Sequence, residues 1–527
     1  MIRDQKKLAR MSEMMREGRY EEATRDFVGL LKDGVNAKAM GLEAITAASP
    51  FLNVPAHTMV TKTGETRPVN YDHTVLGFWR AQRMSKMMPK GYQSLPATQA
   101  MWYLPQGIDI WSQILCEFPG HYSKEQEKCP TITLKGPRQH FEEHPPYTEG
   151  TWDERLALMV ESIMHGDRVM AFRAFLGLAD DAAIDEIKRR ELEAAVIFTG
   201  IIDLPGPRTY HIHIVNSAHK AIRARAMVDL ANALGWENAY PIYLIVIPDL
   251  ASNPRFHDIY ETAHIQLIGA FGQGYYDRRH AQTKPMSVRE AEEFITLMTH
   301  GAPDEVIAGV TKLLKDEKSL IALNDVCIIA AARMQAKLEN PSIRTGFTNT
   351  DHCFDYTNVV GYWLRTYDHP QALKMPYYTA LFVNDTARFL KKASRDANAE
   401  FQSQPEEHMD RAAKLTQDEA LKELLAACDA QDGAYATALL ETYMSRTRDR
   451  KKLIDTLVFE NGKWEGDPHL PRNAMSHHEE YLHSTLPLSM RDDLFRSWTR
   501  FVSRWHKRSM EFNCLRLYED EFRLPGP

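Results

Sequence analysis

The sequence predicts an all-α fold, in which about four duplicated multi-helix units pack into one or two globular lobes. Apolar side chains recur at helical spacing along nearly the whole chain, and the alternation of β-branched residues that is typical of strands is scarce. A glycine next to an acidic residue or a histidine precedes an amphipathic helix four times, and a histidine-containing segment follows roughly fifty residues later each time. At 527 residues, the chain is longer than a single hydrophobic core usually serves.

Each predicted unit opens with the same kind of helix. In unit one, apolar residues at positions i, i+4, i+7 and i+8 share one helix face, and these are Ala23, Phe27, Leu30 and Leu31. The glycines before the four helices are Gly18, Gly166, Gly301 and Gly433. Their separations of 148, 135 and 132 residues are too long for a short solenoid repeat and suit several helices per unit.

Polar segments that contain proline or charged residues separate these helical stretches. They cover residues 121–150, 271–286 and 395–416, where helical spacing stops. The predicted units therefore span residues 1–120, 151–270, 287–394 and 417–527.

Composition and charge argue against several classes of protein. The net charge of −7 indicates no basic face for nucleic acid, so no nucleic-acid partner is expected. The longest apolar run, residues 242–247, is far too short to cross a bilayer, and the first residues carry no secretory signal. We therefore expect a cytoplasmic protein with no membrane partner. The six cysteines form no C-x-x-C pair, which argues against a disulfide framework or a structural zinc site.

Familiar catalytic motifs are missing from the sequence. It contains no phosphate-binding P-loop, no H-E-x-x-H zinc motif and no G-x-S-x-G nucleophile elbow. We therefore expect no nucleotide cofactor. The remaining chemistry lies in the 21 histidines, because neutral imidazole binds iron, zinc and copper well.

Histidine segments recur at matching positions of the units. They contain Asp72-His73, His211-Ile212-His213, Asp351-His352 and His477-His478. The pair His213 and His219 is offset by 264 residues from the pair His477 and His483. A helix turns by about 240° over six residues, so only one member of each pair is expected to face a shared centre. The predicted metal ligands are His73, His213, His219, His352, His477, His478 and His483.

Two aspartates beside these histidines are the predicted catalytic groups. Asp72 and Asp351 can each orient an imidazole ring or act as a base. Two E-x-x-H steps, Glu261 to His264 and Glu480 to His483, leave open a di-iron site of the kind found in helical bundles.

Aromatic residues follow two of the histidine segments at helical spacing. Trp79 follows His73, and Trp363 follows His352. We expect these two tryptophans to line a substrate pocket, although aromatic stripes of this kind are also typical of a core.

One stretch of the chain resembles a known family. A Gly-Asp helix is followed by a histidine cluster, then by a helix over residues 221–234 that ends in Gly235-Trp236-Glu237, and then by an apolar helix. This layout resembles the questin oxidase-like family, over roughly residues 150–270 and 290–395. That family is all-helical and is associated with oxidative cleavage of anthraquinone-type polyketides by a Baeyer–Villiger-like oxygen insertion. The resemblance implies a related fold and an oxidative role, and its site residues here would be His73, His213, His352 and His478.

These observations predict an oxygenase or oxidase with a histidine-rich cavity between the units. The expected cofactor is a transition metal, with iron as the first candidate, and the expected partners are a small organic substrate, such as an aromatic or polyketide-like compound, and a redox protein. Two other hypotheses stay open. One is a non-catalytic α-helical repeat scaffold that binds protein partners, and the other is a metal-free hydrolase or cyclase that uses histidine and aspartate.

Overall fold

The computed structural model confirms the predicted all-α fold. It describes residues 2–17, 19–52, 58–60, 66–68, 73–114, 145–206, 218–251, 255–338, 347–396, 404–463, 469–504 and 514–524. Within these residues, no helix combines enough length with enough hydrophobicity to cross a membrane.

Eleven of the described helices precede residue 272. They are α1 (Ile2–Arg16), α2 (Tyr20–Lys32), α3 (Ala37–Leu52), α4 (His73–Ser85), α5 (Leu95–Ile114), α6 (Trp152–His165), α7 (Arg168–Ile184), α8 (Glu186–Ile201), α9 (His219–Leu234), α10 (Tyr240–Leu250) and α11 (Asp258–Phe271). Two three-residue strands, β1 (Thr58–Val60) and β2 (Thr66–Pro68), pair antiparallel between α3 and α4.

Twelve further helices are described in the rest of the chain. They are α12 (Val288–His300), α13 (Pro303–Lys315), α14 (Leu320–Ala336), α15 (Phe347–Thr366), α16 (Met375–Asp396), α17 (Glu406–Ala412), α18 (Gln417–Asp429), α19 (Gly433–Arg446), α20 (Lys451–Lys463), α21 (His469–His483), α22 (Leu488–Arg504) and α23 (Cys514–Phe522). Short 3-10 turns occur at Trp236–Asn238, Tyr275–Ala281 and Ala372–Lys374.

The same local signal begins three helices that are far apart in the chain. Thr151, Ser287 and Thr416 are the N-caps of α6, α12 and α18, and each forms a reciprocal capping box with a glutamate three residues later. This arrangement satisfies two backbone N–H groups that a helix start otherwise leaves without partners. The three N-caps lie at the starts of the second, third and fourth predicted units, whose common origin by duplication stays a prediction.

The repeated glycines do not share one structural role. Gly166 ends α6 in a left-handed conformation, with φ of 79°, and the next residue, Asp167, caps α7 through its side chain. Gly301 follows α12 in extended conformation, with φ of −74°. Gly433 is the first residue of α19. Gly18 lies outside the described residues. Gly433 is thus part of its helix, whereas Gly166 and Gly301 each precede theirs, α7 and α13, by two residues.

Two hydrophobic clusters form the core. The larger is built mainly from α1 to α16, and the smaller from the helices after residue 404 together with the end of α4 and the start of α5. Four helices meet between them, since α4 contacts α9 and α21, and α15 also contacts α9 and α21. Helix α9 is buried along most of its length, including His219, Lys220, Arg223 and Arg225. These four helices position the polar residues described next.

Candidate metal centre

Three metal-binding side chains come together where α15 and α21 begin. Asp351 and His352 lie in the second turn of α15, and His469 is the first residue of α21. One potential ligand atom from each residue lies within 4.8 Å of the others. The three residues are 0%, 3% and 6% exposed, respectively, so bulk water is largely kept away from this group. The buried Asp351, His352 and His469 can hold a metal ion.

A third histidine touches this group from another helix. His219, the first residue of α9, places its Nε2 atom 2.7 Å from Nε2 of His352. The two rings are nearly perpendicular, and their centroids lie 4.4 Å apart. At this distance one of the two nitrogens carries a hydrogen and donates a hydrogen bond to the other. His219 is therefore placed either to approach a metal directly or to hold a proton beside it.

The starts of three helices surround the cluster. His219 and His469 are first residues of their helices, and Asp351 is the fifth residue of α15. Backbone N–H groups at a helix start carry partial positive charge, which favours a carboxylate or another anion nearby. Asp351 lies beyond the first turn of its own helix, where this effect is weak, so the charge of its carboxylate depends mainly on the neighbouring side chains.

Residues one turn further along α21 fix the carboxylate. Arg472 donates to Oδ2 of Asp351 at 2.6 Å, and the side-chain amide of Asn473 donates to Oδ1 at 2.8 Å. Each oxygen still has a second lone pair that can face a metal. Hydrogen bonds of this kind orient metal ligands and tune their affinity.

The charges around the cluster leave room for a cation. Arg472 also forms an ion pair with Asp355, so two buried carboxylates share one guanidinium group. Burial and the nearby Asp355 raise the pKa of Asp351 to about 6, although Arg472 opposes this shift. A divalent cation held by Asp351 would offset the remaining negative charge, which is costly to bury without compensation.

The polar contacts continue along α15 and α21 beyond the histidines. The hydroxyl of Ser476 donates to Asp355 at 2.8 Å, and Arg80 of α4 donates to Ser476 at 3.1 Å. Arg80 also reaches the side chain of Asn358, to which Arg225 of α9 donates at 2.9 Å. Hydrogen bonds thus connect the metal-binding group with all four central helices.

The structure brings together only part of the predicted ligand set. His219, His352 and Asp351 meet, whereas His477, His478 and His483 lie further along α21. His477 is fully buried, its Nδ1 donates to the carbonyl of Asn473 at 2.8 Å, and its Nε2 contacts Oγ of Ser497 at 2.9 Å. With both ring nitrogens bonded to the protein, His477 has no nitrogen left for a metal. His478 is partly buried, and burial lowers its pKa.

The remaining predicted residues either lie away from the metal-binding group or fall outside the described residues. His483 is exposed in the last turn of α21. Glu480 is buried and accepts from Arg365, so the step from Glu480 to His483 does not point at one site. In the other E-x-x-H step, His264 pairs with the hydroxyl of Tyr275 at 2.9 Å. His73 begins α4, but its side chain, like all of Asp72 and His213, lies outside the described residues.

His469 is the ligand that sequence reasoning missed. It is a single histidine in a segment where the neighbouring doublet His477-His478 drew attention instead. A signal was present, because His469 is followed by polar residues at i+3, i+4 and i+7, which are Arg472, Asn473 and Ser476. A polar stripe on an otherwise buried helix indicates partners in the protein interior.

The two predicted pocket tryptophans have different surroundings. Trp79 is 2% exposed and lines a cleft between α3, α4 and α9, where its indole N–H donates to Asp229 at 2.5 Å. Trp363 is fully buried, and its indole N–H donates to the carbonyl of Ala194 at 3.0 Å. Its ring packs against Phe198, so Trp363 belongs to the core, which was the alternative interpretation of the aromatic stripe.

No family model matches the chain, and neither the curated proteins nor the solved structures contain a match. What the buried cluster can do therefore follows from its donor atoms, its burial and its charge.

Proposed function

We propose that the protein is a metal-dependent oxidoreductase, an oxygenase or oxidase that acts on a small organic substrate. The observation that carries this proposal is the buried group of Asp351, His352 and His469, whose ligand atoms lie within 4.8 Å of one another. Two imidazoles and one carboxylate are the protein ligands of non-heme ferrous oxygenases, in which the other coordination positions stay open. Iron is therefore the metal that we propose.

The chain's own residues would prepare this site. Arg472 and Asn473 hold the carboxylate of Asp351 in place, and the positive charge of Arg472 favours its ionised form. His219 would hold or release a proton at Nε2, since this atom already shares one with His352. When bound, iron would supply the ability to bind and activate dioxygen.

Two further considerations support an oxidative role over a scaffold. The resemblance to the questin oxidase-like family implies oxygen chemistry in an all-helical chain. In addition, burying three histidines and two carboxylates together lowers the stability of the fold, and a non-catalytic scaffold would gain nothing from such a cluster. His73 begins α4, but its side chain lies outside the described residues, so its role as a ligand stays a prediction from the sequence.

The first test is the metal content of the purified protein, measured by inductively coupled plasma mass spectrometry. We expect about one iron per chain in the wild type and a loss of metal in the variants His352→Ala, His469→Ala and Asp351→Asn. His219→Ala should bind iron about 10 to 100 times more weakly, as expected for a residue that supports the ligands. His483→Ala is the matched control, since its exposed side chain lies at the other end of α21.

A second measurement separates the oxidoreductase from other metal proteins. The ferrous protein is treated with nitric oxide under anaerobic conditions, and an electron paramagnetic resonance signal of an iron nitrosyl would show an open coordination position. Metal that is unchanged in His352→Ala and His469→Ala would contradict the site itself. Stoichiometric zinc in place of iron, with no nitrosyl signal after iron loading, would contradict the oxidative role and favour hydrolysis.

A further inference from the structure

A cleft of about 890 Å³ lies between α3, α4 and α9 and is not part of the metal-binding group. It is lined by residues of α3, α4 and α9, with Tyr362 of α15 and Glu479 of α21. Its volume is within the range of about 300 to 1,000 Å³ that is usual for small-molecule sites. Among the described residues, its lining includes none of Asp351, His352 and His469.

The lining of the cleft carries more positive than negative groups. The four basic residues are Lys38, Arg83, Lys86 and Arg225, and the two acidic residues are Asp229 and Glu479. The whole chain, by contrast, has a net charge of −7. A local excess of two positive charges in an acidic protein favours the approach of an anion.

Both acidic groups of the cleft are already paired with other side chains. Glu479 accepts two hydrogen bonds from Arg225, at 2.7 and 2.9 Å, and lies 3.3 Å from Arg83. Asp229 accepts from Trp79 and lies 3.6 Å from Nε of Arg225. Neither carboxylate therefore neutralises the two lysines of the cleft.

Two basic groups of the cleft have unused capacity. Lys38 and Lys86 are exposed, and within the described part of the chain neither side chain forms an ion pair or a hydrogen bond. Arg225, by contrast, is only 1% exposed and is already paired with Glu479 and Asp229. The two lysines are therefore the basic groups that are open to a ligand.

Part of the uncharged lining is apolar. Leu42 and Leu234 are half-buried, and they line the cleft together with the buried Ile45, Phe78 and Leu230. A charged ligand alone would leave Leu42 and Leu234 partly in contact with water, whereas a ligand with an apolar body would cover their exposed parts. Charge and wall together indicate an amphiphilic anion.

We propose that this cleft is a second binding site, for a small organic carboxylate with an apolar body. Lys38 and Lys86 bind the carboxylate, and the apolar body packs against Leu42, Leu234 and their neighbours. The two sites share no lining residue, so octanoate is expected to bind whether or not a metal is present.

Isothermal titration calorimetry with three probes tests this proposal. We expect octanoate to bind about tenfold more tightly than the neutral octanamide, because only octanoate gains from the lysines. Octanoate should also bind more tightly than acetate, which has no apolar body to bury. The double variant Lys38→Gln/Lys86→Gln should weaken octanoate binding about three- to tenfold and leave octanamide unchanged. Lys90→Gln is the matched control, since Lys90 is exposed on the same part of the chain but does not line the cleft.

The titrations are carried out on the protein as purified and again after chelator treatment. Equal octanoate affinity in the two preparations is expected, whether or not the protein holds iron, so a failure of the metal site leaves this result intact. Equal affinities for octanoate and octanamide, an unchanged affinity in the double variant, or acetate that binds as tightly as octanoate would each overturn the proposal. The substituted lysines are exposed, and circular dichroism verifies that the variants fold.

Discussion

His469 and His477 are buried histidines on the same helix, eight residues apart, and they have different surroundings. His469 lies at the start of α21, within 4.8 Å of ligand atoms from Asp351 and His352. His477 lies in the middle of α21, where its ring stacks on Phe354 at a centroid distance of 3.9 Å. Its two nitrogens are bonded to a backbone carbonyl and to a serine. Burial alone therefore does not mark a histidine as functional, whereas the partners of its nitrogens do.

The difference between the two positions is also one of charge. Around His469, two buried carboxylates share the single positive charge of Arg472, so a bound cation would be attracted by the remaining negative charge. Around His477, burial lowers the pKa of the ring to about 4, so it is neutral at physiological pH. One end of the helix is suited to bind a cation, and its middle is suited to pack.

Removing the guanidinium at the metal-binding end should have the largest effect. Arg472→Met keeps an unbranched, largely apolar side chain but removes the guanidinium group and leaves Asp351 and Asp355 without their shared cation. We expect a loss of about 3–5 kcal/mol in the free energy of unfolding, as for other buried pairs that lose one partner. Urea denaturation measures this loss, and added ferrous ion should recover part of it, because a ligand that binds only the folded state stabilises it.

The control for this prediction is Arg289→Met, which removes an exposed i,i+4 pair with Glu293 and should leave the unfolding midpoint nearly unchanged. A midpoint of Arg472→Met that equals the wild type would show that the carboxylates are not under electrostatic strain. The difference between the two ends of α21 would then lose its electrostatic basis.

Much of the fold is encoded locally, which is why the sequence predicts it. The i, i+3, i+4 spacing of apolar residues and the S/T-x-x-E signal at Thr151, Ser287 and Thr416 act within a few residues of one another. The role of Gly166 shows the limit of this reasoning. A glycine between two helices can end the first or open the second, and only the backbone conformation distinguishes the two.

The site is encoded by contacts between distant segments, which a single sequence does not reveal. His219 lies 133 residues from the histidine that it contacts. His352 was a predicted ligand because Asp351 precedes it in the sequence. The sequence around His469 does not show that this residue meets Asp351 and His352 in the fold. The doublet His477-His478 misled the prediction, because a helix side chain can face Ser497 as easily as it can face a metal. Trp363 likewise joins the core through Phe198, which lies in another helix.

The next effect in size concerns the pH dependence of stability at His477. The unfolded ring titrates near pH 6.5, whereas burial lowers the folded pKa to about 4. As the pH falls from about 6.5 towards 4, the unfolded chain takes up a proton that the folded chain does not, so stability falls by up to about 1.4 kcal/mol per pH unit. His477→Gln keeps polar contacts without titrating, and its unfolding free energy should fall less steeply with acid.

Urea unfolding at several pH values between 4 and 7 measures the two slopes. His369, whose pKa burial also lowers to about 4, stays in both proteins and cancels from the difference. The metal content of His477→Gln should equal that of the wild type, because its ring nitrogens are already bonded to the protein. If the unfolding free energies of the two proteins fell equally steeply with acid, or if His477→Gln lost metal, His477 would be part of the metal-binding group rather than of the core.

The smallest effect is expected at the far end of α21, at His483. This residue is exposed in the last turn, and surface substitutions usually change stability by less than about 0.5 kcal/mol. His483→Ala removes at most a weak interaction between the ring and the negative end of the helix, which salt screens. At low salt, the unfolding curve of His483→Ala should therefore differ slightly from that of the wild type. At high salt, the two curves should coincide. A large loss of stability, or any loss of metal, would place a second functional histidine on this helix and remove the contrast between its start and the rest of its length.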